Sequence, residues 1–425
     1  MIIQFTLGNY RSFRDTQSLN FKPTGLVSEN KKVDEYNIAG KDDDAFLKII
    51  GIYGPNASGK SNLIQGLAFF KDMVAMSLEF EGFLKHEHNP FRLSANHMDQ
   101  SGYFQIILLL GNNRYRYGFT LDEKANIQTE WLYGPADKNE TYYFIRKKAQ
   151  ITINEDRFKE GTQLPYEKRL RADTLFLTFC SSYDGAISSL IKDFLASQII
   201  IQSSMIRRAR MRIQGDNRSL TDELVKQGHK GVILKWMADA GLLFSDVKLK
   251  EVMFNNTRYG NYVMLSKNVY GEKGEITGKV SMNLDYDESD GTRKFYSYIG
   301  GLYKVFKDGG VYLSDEIDSN FHPALLMKII QLFQNPMINK AGAQLLFTSH
   351  DINLMNPNSM RRDQFYFTQK TPTEETRLFS LADVKGIRNN ADFARQYLSG
   401  LYGALPKLGS FIENTSEDDR LNNEK

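Results

Sequence analysis

The chain has 425 residues, 41% apolar and 25% charged, the balance of an ordinary globular protein rather than a disordered one. Its 54 basic and 51 acidic residues leave a net charge of +3, so a nucleic-acid or membrane surface would have to be a local patch. With no run of about 18 apolar residues, no secretory signal in MIIQFTLGNYRSF, and a lone Cys180 that has no internal disulfide partner, the expectation is a soluble, cytoplasmic protein with no membrane partner.

Residues 1–150 mix short alternating runs, IIQFTLGNY, YFQIILLLG, RYRYGFTL and YYFIRKK, with one helix pattern after Lys60. Closely spaced β runs around one helix predict an α/β lobe with an antiparallel component. Inside it, LKIIGIYGPNASGKSNLIQGLAFF places an apolar strand, a glycine-bearing turn and an apolar-periodic helix in succession. Gly54, Pro55, Asn56, Ala57, Ser58, Gly59, Lys60, Ser61 and Asn62 carry the pattern G-x-x-x-x-G-K-S of a phosphate loop. Backbone N–H groups have to turn inward around a phosphate, and glycines permit both the φ values and the close approach. The helix that follows aims its positive end at the anion. Lys60 would neutralise β/γ oxygens, and the Ser61 hydroxyl would ligate Mg²⁺ beneath ATP.

Residues 151–275 read as a mostly helical insertion. RADTLFLTFCSSYDGAISSLIKDFLASQI and TDELVKQGHKGVILKWMADAGLL have helical patterns. Between them, Arg207, Arg208, Arg210, Arg212 and Arg218 crowd into twelve positions. Such a cluster can neutralise DNA or RNA phosphates, dock an acidic partner, or simply face solvent. No aromatic residues interleave it as a single-strand stacking platform would require.

Residues 276–408 return to α/β. The strands GGVYLSDE and AQLLFTSH flank the helix PALLMKIIQLFQ, a strand–helix–strand order typical of a parallel sheet. The first strand delivers Asp315 and Glu316: one carboxylate to hold Mg²⁺, the other to polarise an attacking water. The second delivers His350, an imidazole able to donate to a γ-phosphate oxygen at neutral pH. Residues 409–425 form a polar tail. No repeat and no heptad run long enough for a coiled-coil arm occurs.

In this order, GPNASGKS, LSDEID and TSHD resemble an ABC-type ATPase of the group that holds SMC, recombinational-repair and OLD proteins. GNYRSFRD, PFRL, EWLYG, ESDGT, SDEIDSNFHP, RRDQFYF and YLSGLYGALP resemble bacterial abortive-infection ATPases of the AbiL/RloA type, over about residues 1–408. The resemblance implies two ATP molecules sandwiched in a homodimer, with a signature segment contributed in trans and Asp318 contacting the opposite subunit. The signature candidate is DESDGTRKF, where Ser289, Gly291 and Thr292 open a helix expected over 292–306. It departs from the LSGGQ form, and the same residues also read as an ordinary helix cap. The resemblance also implies a Q-loop glutamine, but none stands in the plausible stretch HNPFRL. Tyr10 or Phe13 could stack on adenine, and either could equally be core.

OLD nucleases carry a metal-dependent TOPRIM nuclease domain after the ATPase. The 75 residues after His350 contain no D-x-D pair, and His86, His88 and His97 have no carboxylates at metal-ligand spacing. The resemblance thus implies a sensor and motor subunit of an anti-phage system that controls a separate effector, often TOPRIM-like. Two alternatives differ in partner: an SMC-like ATPase that clamps nucleic acid through the arginine cluster, and the ATPase subunit of a transporter.

Overall fold

The structure, a computed structural model, describes all residues except 95–99, 137–138, 204–217, 255–256 and 407–425. Two sheets and the helix between them set its architecture. The first is a seven-stranded antiparallel sheet whose central members are Ile2–Gly8, Gly102–Leu110, Asn113–Leu121 and Ile127–Pro135. Strand Gly102–Leu110 alternates buried and half-buried residues throughout, because one of its faces meets the core.

The second sheet has six strands in the order Ile199–Gln202, Val311–Ser314, Gln344–Thr348, Ile49–Tyr53, Phe365–Lys370 and Thr376–Ser380. The first five run parallel and the last turns back antiparallel. Every residue of Val311–Ser314, Gln344–Thr348 and Ile49–Tyr53 is buried, which is why these strands are apolar except at their ends and at Gly51. The α/β class expected from the sequence, with an antiparallel lobe and a parallel-sheet lobe, is what the chain adopts.

Helix Lys60–Met76 is apolar nearly all round because it is covered on both sides. Leu63, Ile64, Leu67 and Phe70 pack in one core with Phe5, Phe104 and Phe119 of the antiparallel sheet and Ile50 and Ile52 of the parallel sheet. A second core fills the other face of the parallel sheet, where helices Asp290–Asp308 and Pro323–Gln334 pack through Tyr298, Ile299, Ile330 and Phe333.

The segment expected to be mostly helical is mixed. Its helical stretches break into Phe176–Ser181 and Ala186–Asp193, then Arg218–Lys226 and Lys230–Asp239, the latter pair separated at Gly228, where φ is +84°. It also supplies the edge strand Ile199–Gln202 of the parallel sheet and two strands of a separate three-stranded antiparallel sheet, whose third strand opens the next segment. That sheet, Asp246–Phe254, Thr257–Tyr270 and Ile276–Asn283, buries Val247, Val263 and Leu265 in the second core, beside helices Arg218–Lys226 and Lys230–Asp239. Of the arginine cluster, Arg207, Arg208, Arg210 and Arg212 lie outside the described residues, and Arg218 opens a helix.

Candidate active site at the edge of the parallel sheet

Parallel α/β sheets bind ligands beyond the carboxyl ends of their strands, and the predicted residues from both halves of the chain gather there. Strand Ile49–Tyr53 runs into a loop that turns at Gly54 (φ +147°), Ala57 (φ +60°) and Gly59 (φ +112°) before helix Lys60–Met76. A Cβ on Gly54 would stand 2.3 Å from the Thr368 carbonyl oxygen, and one on Gly59 would stand 2.2 Å from Thr376 Oγ1. Conformation and crowding both demand glycine at these two places. Ser58 is buried and its hydroxyl pairs with that of Thr368 at 2.6 Å, while Asn56 and Ala57 face solvent. The Asn62 amide donates to Ser12 Oγ at 2.7 Å, tying the helix start to the turn after the first strand. The Lys60 ammonium lies within the loop and donates to the carbonyls of Gly54 (2.7 Å) and Pro55 (3.0 Å). Burial lowers its pKa, and Asp315, Glu316 and Asp318 oppose that shift.

Asp315, 8% exposed, is the hub. Its Oδ1 accepts from Ser61 Oγ at 3.1 Å and Thr348 Oγ1 at 2.7 Å, and its Oδ2 accepts from Ser203 Oγ at 3.2 Å. One carboxylate thereby joins the phosphate loop, the histidine strand and the edge strand. Thr348 Oγ1 also accepts the Glu316 N–H at 2.7 Å. Glu316 itself has φ +51° and an exposed side chain, so the backbone bends sharply to turn this carboxylate out of the sheet. His350 is exposed; burial of its surroundings and the nearby Lys60 charge hold its pKa below the ordinary value. Its backbone N–H donates to Asp318 Oδ2 at 3.1 Å, and Asp318 Oδ1 has no hydrogen-bond partner among the described residues. A cleft of about 750 Å³ runs beside Gly54–Ala57, lined by His350, Ile352, Lys370, Tyr397 and Leu405.

Ser289 caps helix Asp290–Asp308, which is longer than the expected 292–306, and accepts from the Thr292 N–H at 3.3 Å. Ser289 is exposed, Gly291 is half-buried and Thr292 is buried. The same helix reaches the acidic strand through a residue the sequence did not single out. Lys294 Nζ donates to the carbonyls of Glu316 (2.9 Å), Ile317 (3.2 Å) and Ser319 (2.7 Å), and lies 4.6 Å from the Phe321 ring centre. Burial pulls its pKa down to about 8.

A glutamine absent from HNPFRL does stand at the site. Gln202 ends the edge strand, its carbonyl accepts from the Asp315 N–H at 2.9 Å, and its amide donates to Ser297 Oγ at 2.9 Å. Its signal in the sequence was the apolar run III before it, which continues the helical pattern ending in FLASQI. The adenine-stacking candidates Tyr10 and Phe13 are instead core residues, 1% and 0% exposed, with Tyr10 stacked on Phe69.

Residues 49–356, well over half of the chain, match the family model AAA_21, described as AAA domain, putative AbiEii toxin, Type IV TA system. The chain belongs to this AAA-domain family. Its match spans the phosphate loop, the acidic strand and His350 alike. No curated protein matches the sequence. Among solved structures, the chain is similar to an SMC head domain from Thermotoga maritima, at 12% identity and a TM-score of 0.36, over 89% of this chain and 98% of that one. It is also similar to an SMC head bound to the C-winged helix domain of ScpA, at 12% identity and 0.43, over 89% and 97%. An Smc head with a coiled coil and joint derived from Pyrococcus yayanosii matches at 9% identity and 0.42, over 94% and 99%.

The donor set suits a magnesium nucleotide. One hydroxyl and one carboxylate in contact, Ser61 and Asp315, are hard oxygen ligands of the kind that leave the remaining positions to water and phosphate. Among the described residues no cluster of three or more His, Cys, Asp or Glu side chains could hold a metal alone. Among the same residues no helix is long and apolar enough to cross a membrane.

Proposed function

We propose that this AAA-domain protein binds and hydrolyses ATP with Mg²⁺, as an ABC-type ATPase subunit that pairs with a second copy around two nucleotides. The observation that carries the reading is the contact of Ser61 with Asp315, which joins the phosphate loop to a carboxylate beside the outward-turned Glu316. The loop N–H groups and Lys60 hold the phosphates. Ser61 and Asp315 would hold a magnesium ion, which would neutralise phosphate charge when bound. Glu316 orients water and accepts its proton. His350, whose pKa is lowered by burial and the nearby Lys60 charge, donates to a γ-phosphate oxygen. Gln202 stands where it can report the nucleotide's state to Ser297 of the helix that Ser289 begins. Ser289 and Gly291 face the nucleotide of the other subunit, with the buried Thr292 holding the Ser289 cap in place, and Asp318 lies between the two.

The finer part of the proposal rests on the abortive-infection resemblance alone. The subunit acts as sensor and regulator of an anti-phage system, controlling a separate effector, a TOPRIM-like nuclease. Glu316→Gln tests the chemistry. This variant should retain ATP binding, lose hydrolysis by about 10²-fold or more, and accumulate as an ATP-dependent dimer in mass measurements. Wild-type turnover in Glu316→Gln removes Glu316 as the base, and a monomer at saturating ATP removes the sandwich.

A further inference from the structure

We propose that the outer face of the three-stranded sheet, Asp246–Phe254, Thr257–Tyr270 and Ile276–Asn283, binds single-stranded nucleic acid. Along the central strand the alternation sends Val263 and Leu265 into the core and Tyr262, Met264, Ser266, Asn268 and Tyr270 outward. The cross-strand register sets lysines beside them on the same face. Lys250 stands opposite Tyr262, Lys248 opposite Met264, and Lys279 opposite Asn268. Tyr286, 76% exposed, leans on Tyr262 with ring centres 6.2 Å apart, and Tyr270 at the far end is 62% exposed. The face thus alternates aromatic planes with ammonium groups, although no such interleaving is visible around the arginine cluster.

Charge complementarity selects the occupant. The acid on this face, Asp246, is already paired with Lys248 at 3.3 Å and Lys230 at 3.6 Å. Among the described residues Lys250 and Lys279 are both exposed and have no ion-pair partner. Asp285 and Asp287 flank Tyr286 and repel phosphate there, which leaves that ring to a base and the backbone to the lysines. Open tyrosine faces reward unstacked bases, and the bases of a duplex are not free to reach them. Bases and phosphates are shared by DNA and RNA, so the source is decided by measurement.

Fluorescence anisotropy on the full chain, without nucleotide, should compare labelled oligo(dT), oligo(U) and a duplex of equal length. Single strands should bind more tightly than the duplex; a preference for oligo(dT) assigns DNA, one for oligo(U) assigns RNA, and parity assigns both. Three lysine contacts give a log–log salt slope of about −2, so affinity should fall roughly 20-fold between 50 and 200 mM salt. Tyr286→Ala and Tyr270→Ala should each weaken binding about tenfold with the slope intact, and Lys250→Glu with Lys279→Glu should flatten the slope. Both tyrosines are exposed, so these variants keep the fold, and the phosphate loop takes no part. Equal or tighter duplex binding, unchanged affinity in the tyrosine variants, or no binding of either single strand would overturn the proposal.

Discussion

At position 59 a methyl group meets a neighbouring hydroxyl oxygen at 2.2 Å, and the backbone already sits at φ +112°. Gly59→Ala should therefore displace the loop from Thr376 and abolish nucleotide binding by calorimetry, with far-UV circular dichroism unchanged. Strain of this kind costs about 1–3 kcal/mol locally. Such residues are legible in a sequence because their constraint is local: six positions of backbone geometry dictate the pattern. Glu130 shows the opposite case. It stood in EWLYG as a residue of resemblance only, yet it is fully buried. It accepts from Tyr117 Oη (3.0 Å) and the N–H groups of Phe176 (2.7 Å) and Leu177 (2.9 Å), and it pairs with the buried Arg146 at 3.5 Å. Its partners lie up to 47 positions away, so no local pattern announces it. Glu130→Ala strips the buried Arg146 charge of its carboxylate partner, leaving it only the carbonyls of Lys148, Thr174 and Arg171 among the described residues, and deprives the Tyr117 hydroxyl and two N–H groups of their acceptor. Urea unfolding should show a loss of about 3–5 kcal/mol, and wild-type stability in this variant would deny the network any structural role.

Among elements, helix Asp290–Asp308 links the two ends of the proposed reaction. Ser289 begins it, and five positions on Lys294 grips three carbonyls of the turn that follows the acidic strand, including that of Glu316. A glutamate at φ +51° persists only when its surroundings hold it. Lys294→Met keeps the apolar stem over Phe321 and removes the grip, so kcat should fall about tenfold or more while ATP affinity stays near wild type, and Lys294→Arg should restore part of it. Burial gives the pH dependence. With a folded pKa of about 8 against 10.5 unfolded, Lys294 releases its proton in the folded protein first. Turnover should therefore decline above about pH 8. Between about pH 8 and 10.5 the unfolded chain binds the extra proton, so this residue's contribution to stability rises as pH rises. Opposite trends in activity and stability, both missing in Lys294→Met, are the signature to measure. The strands around the site differed in legibility for a physical reason. Ile49–Tyr53 is followed by Gly54 and Val311–Ser314 starts after Gly310, whereas Ile199–Gln202 follows a helical segment with no glycine or proline between them, and its pattern merges with the helix. The strands of the small sheet carry tyrosine, lysine and asparagine on their outer face, a mixture that periodicity alone does not separate from loop.

Across the whole molecule, the two large sheets are joined far from the site by one buried glutamine. Gln344 is fully buried; its amide donates to the carbonyls of Ile2 (2.9 Å) and Leu47 (3.2 Å), and its oxygen accepts the Ile2 N–H (2.8 Å). It begins strand Gln344–Thr348, so it lies at the opposite end from Thr348 and the phosphate loop. Gln344→Leu keeps the volume and leaves three buried backbone groups unpaired, at about 1–3 kcal/mol for each group that finds no water. Thermal unfolding should fall by several degrees. Saturating Mg-ATP at about 100 times its Kd stabilises a folded protein by about 2.7 kcal/mol if it binds only that state. Because the proposed site is assembled on the far end of the parallel sheet, with Ser12 reaching it from the turn after the first strand, and distant changes add, the increment from Mg-ATP should be equal in wild type and Gln344→Leu. A smaller increment in the variant would mean that the junction of the sheets and the nucleotide pocket are coupled, and that the antiparallel lobe takes part in binding rather than only covering helix Lys60–Met76.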